Sequence, residues 1–412
     1  MRPHFLTPFT LKAQALSIFA LLSGCIGLTP SPGAEDLGRL DALTIPRWEN
    51  LTSNSSQAAS GHSSEVLDLK QLPHQPSRVI SVGSDGAILE WDLKSGAAKT
   101  INTLSARPKL AAFGSERALV AWDSGDAISV GCVSGCDESW RLTRLKTRVT
   151  SLAFHEADQA LLIGGVDGRV YRWRFQLDRV ARDFKEKDKS LERYIGHQTI
   201  VSSVLPLHTG RAFFSADWDG QLYAWLAYTA DDQKGSYDRN LFGGRFFGTL
   251  GTYIFAARAA DRGITSMALS ADGTRLALGT DDGYIELWEV KGFEMIARQA
   301  AHTGRVVSVS LNDNGTRLAS IGRDAAIAAH DIIPDPEHGI RIGALRSRAV
   351  AILKETMQTA RQARFLSSGD LIISTPDGKL GELRLNKIAP TTLPTPPKVS
   401  AETQTTQKGS DY

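Results

Sequence analysis

The side chains able to do chemistry in this sequence are spread in a repeating pattern, not gathered at one point. Asp85, Asp167, Asp219, Asp282, Asp324 and Asp377 are each followed three residues later by an aliphatic residue. Three residues further on stand Trp91, Trp173, Trp225, Trp288, His330 and Leu383. Gly125–Ile128–Gly131 is a worn seventh copy, its Asp-Gly order inverted to Gly125-Asp126. A carboxylate that recurs in fixed phase beside a glycine reads as a turn residue before it reads as a general base. The sequence contains no Gly-x-Ser-x-Gly, His-Glu-x-x-His, phosphate loop or dinucleotide fingerprint. It therefore nominates no catalytic residue, no metal ligand and no cofactor, and the expectation is a protein that is not an enzyme.

Chemistry of another kind is written into the first 25 residues. Arg2 and Lys12 precede an apolar run over 13–22, which is of signal-peptide length and too short to span a bilayer. The run ends in Leu22-Ser23-Gly24-Cys25, which resembles the lipobox of bacterial lipoproteins. That resemblance implies removal of residues 1–24 and acylation of Cys25, which would anchor the protein to the periplasmic side of the envelope. Ile26 rather than Asp after the cysteine favours the outer membrane, by resemblance to enterobacterial sorting. A plain secretory signal with a chance cysteine, or a buried helix, is the alternative.

In that oxidising compartment the two remaining cysteines, Cys132 and Cys136, are expected to bridge and staple a hairpin loop of the worn repeat. Two free thiols remain the other reading. Two thiolates without nearby histidine fall short of a zinc set.

The 47 basic and 45 acidic residues give a formal charge of +2. Loss of Arg2 and Lys12 with the leader leaves a neutral chain, and such a chain has no global field to gather nucleic acid. Residues 25–62 are rich in Pro, Ser, Gly and Asn and read as a lipidated N-terminus and flexible tether. The repeats fill 63–388, and 389–412 read as a disordered Pro/Thr-rich tail.

Within the repeats, apolar and polar residues alternate with period two. In the fifth, strands are expected over 264–270, 274–279 and 284–290, joined by turns at Ala271-Asp272-Gly273 and Asp281-Asp282-Gly283. The short spacings between anchors, 40 and 42 residues, match the repeat length of WD-type propellers. Trp91-Asp92 is the literal dipeptide, and Gly196-His197 and Ala301-His302 stand where that family places its Gly-His. The chain thus resembles a WD-repeat protein, which implies an all-β, seven-bladed propeller. Trp122-Asp123 comes too early in its repeat to count.

The resemblance also implies a hydrogen-bonded network within a blade, carried over as His197, Ser215, Asp219 and Trp225. In the sixth repeat His302, Ser320 and Asp324 remain, but His330 replaces the tryptophan. A closing strand for the seventh blade is expected from the N-terminal side, around 43–51.

Binding is the default use of so broad and rigid a face. Trp218, one residue before a turn Asp, is the first candidate contact, with Arg323 at the equivalent place in the sixth repeat. Arg245, Phe246 and Phe247 in the longest interval suggest a partner-binding flap or a structural strap. Arg341, Arg346, Arg348, Lys354, Arg361 and Arg364 form a basic stretch that reads as an outer strand or an anion contact. The expected function is a non-catalytic, lipid-anchored scaffold or docking subunit of a bacterial envelope complex. Its partners would be envelope proteins, with the membrane reached through the lipid and no nucleic acid. Alternatives are an accessory lipoprotein of outer-membrane protein assembly, or a hydrolase or lyase working at the central channel.

Overall fold

The structure, a computed structural model, describes residues 49–50, 61–114, 119–134, 139–156, 159–176, 190–207, 212–227, 253–260, 262–332, 345–352, 360–383 and 385. The described strands form seven four-stranded antiparallel sheets. Six of them are built from consecutive strands, within residues 66–103, 110–142, 149–195, 201–258, 264–300 and 306–352. These are blades 1 to 6. Blade 7 takes three strands from 362–383, and its outer strand is Glu49–Asn50. That pair runs antiparallel to the third strand, with Glu49 opposite Glu382 and Asn50 opposite Gly381. A strand from the start of the chain thus completes the last blade, which removes an open sheet edge.

The first strand of each blade packs beside the first strand of the next, from Val66–Gln71 round to Gln362–Phe365 and back. These are the inner strands of a closed ring. The apolar core is divided to match: each of seven buried clusters fills the gap between two adjacent blades. Leu162, Val170 and Tyr194 of blade 3 meet Val201, Phe213 and Trp225 of blade 4. Val66, Leu69 and Trp91 of blade 1 meet Leu366, Ile372 and Leu380 of blade 7. The seam is therefore closed by an apolar cluster, as the other junctions are. Trp91, Trp173 and Trp225 are fully buried, and truncating such a residue to alanine costs about 3–5 kcal/mol. This explains the tryptophan periodicity. The indole on the third strand of blades 1, 3, 4 and 5 is the plug between blades.

Polar bonds join the inner strands as well. Asp68 Oδ2 accepts the Phe113 amide at 2.9 Å, Ser266 Oγ accepts that of Val309 at 3.0 Å, and Thr265 Oγ1 donates to the Val306 carbonyl at 2.6 Å. Two members of the basic stretch serve the seam: Arg361 pairs with Glu65 at 3.1 Å, and Arg364 lies 3.6 Å from Asp68. Burial pushes the Asp68 carboxyl above its ordinary 3.8, opposed by the Arg364 charge and by the Phe113 and Leu69 amides.

Candidate functional site

Among the described residues, three blades carry a His–Asp–Ser relay. In blade 4, His197 Nδ1 lies 2.8 Å from Asp217 Oδ2 and Nε2 lies 2.6 Å from Ser215 Oγ, which also accepts the Trp225 indole N–H at 2.7 Å. The carboxylate is Asp217 and not the expected Asp219. Asp217 is fully buried, and its Oδ1 accepts the amides of Asp219 and Gln221 at 2.9 Å each. In blade 1, His62 Nδ1 lies 3.1 Å from Asp85 Oδ1, Nε2 lies 2.7 Å from Ser81 Oγ, and Trp91 donates to Ser81 at 2.7 Å. In blade 6, His302 bonds Asp324 at 3.1 Å and Ser320 at 2.8 Å. His330 occupies the tryptophan position, buried.

The residue two places before the turn Asp decides which carboxylate is used. Where it is glycine, as at Gly83 and Gly322, the later Asp85 and Asp324 fold back onto the histidine. A Cβ on either glycine would fall under 3.0 Å from that carboxylate and from the imidazole. Where it is Asp217, the carboxylate already sits in that place. In blade 2 the equivalent Asp123 accepts the Gly125 amide at 2.9 Å, just as Asp217 accepts that of Asp219. In blades 5 and 7 a threonine takes the position: Thr280 and Thr375 each donate to the following turn Asp, Asp282 and Asp377.

The relay has the connectivity of a hydrolytic triad, with Asp on Nδ1 and Ser on Nε2. Its burial argues for structure. Ser81, Ser215 and Ser320 are fully buried, and in blades 1 and 4 an indole N–H already occupies the Oγ, so no electrophile reaches it. Burial pushes the His62 imidazole below 6.5, against the Asp85 charge. Asp85 and Asp324 are held below 3.8, because their amide and histidine hydrogen bonds outweigh burial.

The inner strands that line the channel carry a single carboxylate, Asp68, and its partners are the Phe113 and Leu69 amides and Arg364. No group of three or more metal-ligating side chains is assembled among the described residues.

The exposed face made by the turns between second and third strands is different in kind. Trp218 is 39% exposed, one of three large apolar side chains left so among the described residues. Its ring carries the Arg305 guanidinium 4.3 Å from the centroid, and Arg305 Nε is in turn held by the Asp281 carboxylate. The Trp218 amide donates to the Ile200 carbonyl at 3.2 Å, and the Arg323 amide donates to that of Arg305 at 2.9 Å. Trp218 from blade 4, Asp281 from blade 5 and Arg305 and Arg323 from blade 6 thus form one patch on a rigid backbone. The two described members of the expected binding set, Trp218 and Arg323, fall together in it, and Arg305 joins them.

Arg305 was missed because nothing in its immediate sequence marks it. Its signal was phase: it directly precedes an inner strand, beside the turn position that Arg323 holds. His62 was missed because composition put it in the tether, as the last residue of 25–62, although its Gly61-His62 is as good a pair as Gly196-His197 and it belongs to blade 1. Arg245, Phe246, Phe247, Cys25 and Cys136 lie outside the described residues. Cys132 is disulfide-bonded.

The family model for the WD domain, G-beta repeat, matches residues 188–225 and 251–289. Two of the repeats are WD40 repeats. Each WD40 match runs from the outer strand of one blade through three strands of the next, so the repeat is one strand out of phase with the blade. That stagger is why the last blade needs a strand from the start of the chain.

A 69-residue segment is 36% identical to meiotic fizzy-related protein 1 of Schizosaccharomyces pombe, over 17% of this chain and 16% of that protein. A 184-residue segment is 28% identical to pre-mRNA-processing factor 19 homolog 2 of Arabidopsis thaliana, over 44% of this chain and 30% of that one. The chain thus spans less than a third of the length of these two relatives. Among solved structures, U3-55K is similar with a TM-score of 0.59 at 18% identity, over 79% of this chain and 97% of that one. The WD40 propeller domain of Doa1 gives 0.56 at 18% identity, over 79% and 95%. The likeness to these structures is one of fold: an all-β, seven-bladed propeller carrying WD40 repeats.

Proposed function

We propose that this protein is a non-catalytic docking subunit, lipid-anchored through Cys25 on the periplasmic side of a bacterial outer membrane, and that it binds envelope proteins. The observation that carries the docking half is the Trp218 patch. An aromatic ring held on a rigid turn by a stacked arginine, itself fixed by a carboxylate, is pre-ordered for contact and loses little entropy on binding. The anchoring half rests on the apolar run over 13–22 and the Leu22-Ser23-Gly24-Cys25 sequence after it.

In-cell crosslinking followed by affinity recovery of the C-terminally tagged chain from solubilised membranes tests both halves. A stoichiometric set of envelope proteins, lost in Trp218→Ala and in Arg323→Glu at unchanged protein level, is the expected result. Recovery of the chain alone, or recovery indifferent to both substitutions, refutes docking at this face. Incorporation of a labelled fatty acid that persists in Cys25→Ser refutes the anchor.

A further inference from the structure

The cations of the turn face differ in how they are paired. Arg305 and Arg361 are tied to Asp281 and Glu65. Arg107, Lys109, Lys146 and Arg148 are all exposed, and none has an ion-pair partner among the described residues. They come from two loops, 104–109 and 143–148, that lead into the inner strands of blades 2 and 3.

The backbones at two of these cations are fixed. The Lys109 amide donates to the Asp123 carbonyl at 2.7 Å, and the Arg148 carbonyl accepts the Val166 amide at 3.0 Å. Between the loops lies the blade 2 turn, where Gly125 adopts φ +95°. A Cβ on Gly125 would fall under 3.0 Å from Lys109 Nζ. The six other repeats all carry an aspartate at this position. The inverted Gly125-Asp126 order therefore gives the ammonium its place across the turn.

Among the described residues, no acid forms an ion pair with these four cations. Asp123 is buried, with its Oδ1 on the Gly125 amide. Asp167 is engaged by the Tyr171 hydroxyl at 2.7 Å and by Arg169, and Asp85 by His62. Asp126 is the one exposed acid of that turn.

We propose that this arc, Arg107, Lys109, Lys146 and Arg148, holds an acidic, Asp- and Glu-rich segment of the protein partner. This rests on the reading of the turn face as a protein-docking face, and adds a second contact of defined chemistry beside the Trp218 patch. Two guanidinium forks and two ammonium points suit carboxylates. The arc has no exposed aromatic on which bases would stack. Nor does it have an exposed large apolar side chain to enter a bilayer surface, since Leu104 and Pro108 are buried and Leu145 packs into the core between blades 2 and 3.

The test uses the full chain and a fluorescein-labelled peptide of eight glutamates, read by polarisation at low and high salt. Expected is binding that weakens with salt and falls at least about tenfold in the double variant Lys109→Glu/Arg148→Glu, while Lys94→Glu, at an exposed lysine in the turn between the third and fourth strands of blade 1, leaves it unchanged. No binding by the wild type, or equal binding by the double variant, overturns the proposal. So does tighter, variant-sensitive binding of anionic phosphatidylglycerol vesicles or of an oligothymidylate under the same conditions. Partner recovery in cells that survives the double variant but is lost in Trp218→Ala overturns this inference alone and leaves the docking face standing.

Discussion

Replacing His330 with phenylalanine should flatten the acid sensitivity of the fold. His330 fills the slot that tryptophan holds in blades 1, 3, 4 and 5, and it is buried. Burial, with a smaller contribution from the charge of His302, pushes its imidazole from 6.5 down to about 3. The sign follows from linkage. The unfolded chain takes up a proton as pH drops through 6.5, and the folded chain does not until about 3, so stability is full above 6.5 and is lost on acidification.

Each pH unit inside that window costs about 1.4 kcal/mol, so going from pH 7 to pH 5 removes about 2 kcal/mol through this one side chain. His62, also held below 6.5, adds to the loss with the same sign in both proteins. Asp85 and Asp324 are held below 3.8 and lose their contribution only below that value, so they are silent between pH 5 and 7. Urea unfolding at pH 7, 6 and 5 and constant ionic strength reads the difference. The wild type should lose about 2 kcal/mol more than His330→Phe across the range. Equal losses would refute a neutral, buried His330, whatever the two proteins' stabilities at pH 7.

Two further outcomes follow from the same geometry. Asp217→Ala strands His197 and two amides in a buried site and should cost about 3 kcal/mol or more in urea unfolding, whereas exposed Asp219→Ala should stay within about 0.5 kcal/mol. If Asp219 proves the costlier, the relay is assigned to the wrong carboxylate. Cys132→Ser should cost about 2 kcal/mol if the bridge closes the short loop to Cys136, and non-reducing peptide mapping should recover that pair and no species linked to Cys25.

The architecture was legible because its signals are redundant. Seven copies of one phase mark the hairpin turns, and the fifth repeat's strands over 264–269, 275–280 and 284–289 fall within a residue of the expected limits at nearly every end. The Trp218 patch was half legible. An aromatic on a turn tip is visible in sequence, but Trp218 of blade 4 meets Arg305, in the loop from blade 5 into blade 6, only once consecutive blades are in place, and no local pattern encodes that. The relay's carboxylate was misread for a related reason. Sequence spacing located the turn, yet two aspartates bracket Trp218, and only the space around His197 decides between them.

That space can be tested where it is controlled by a missing side chain. Gly322 lies two residues before Asp324, and a Cβ there would fall under 3.0 Å from both the His302 ring and Asp324 Oδ1. Neither can yield freely: His302 is also bonded to Ser320, and Asp324 accepts the amides of Thr303 and Ala326 at 2.9 and 3.1 Å. Gly322→Ala should therefore cost about 2–3 kcal/mol, the scale of overpacking plus a lost buried hydrogen bond. Gly304, in the loop between blades 5 and 6, meets only Arg323 Cβ at 3.8 Å, so Gly304→Ala should be neutral or stabilising by up to about 1 kcal/mol. If the two substitutions shift the urea midpoint alike, the glycine is not what lets Asp324 reach His302. The division of blades into glycine, aspartate and threonine solutions would then lose its physical basis.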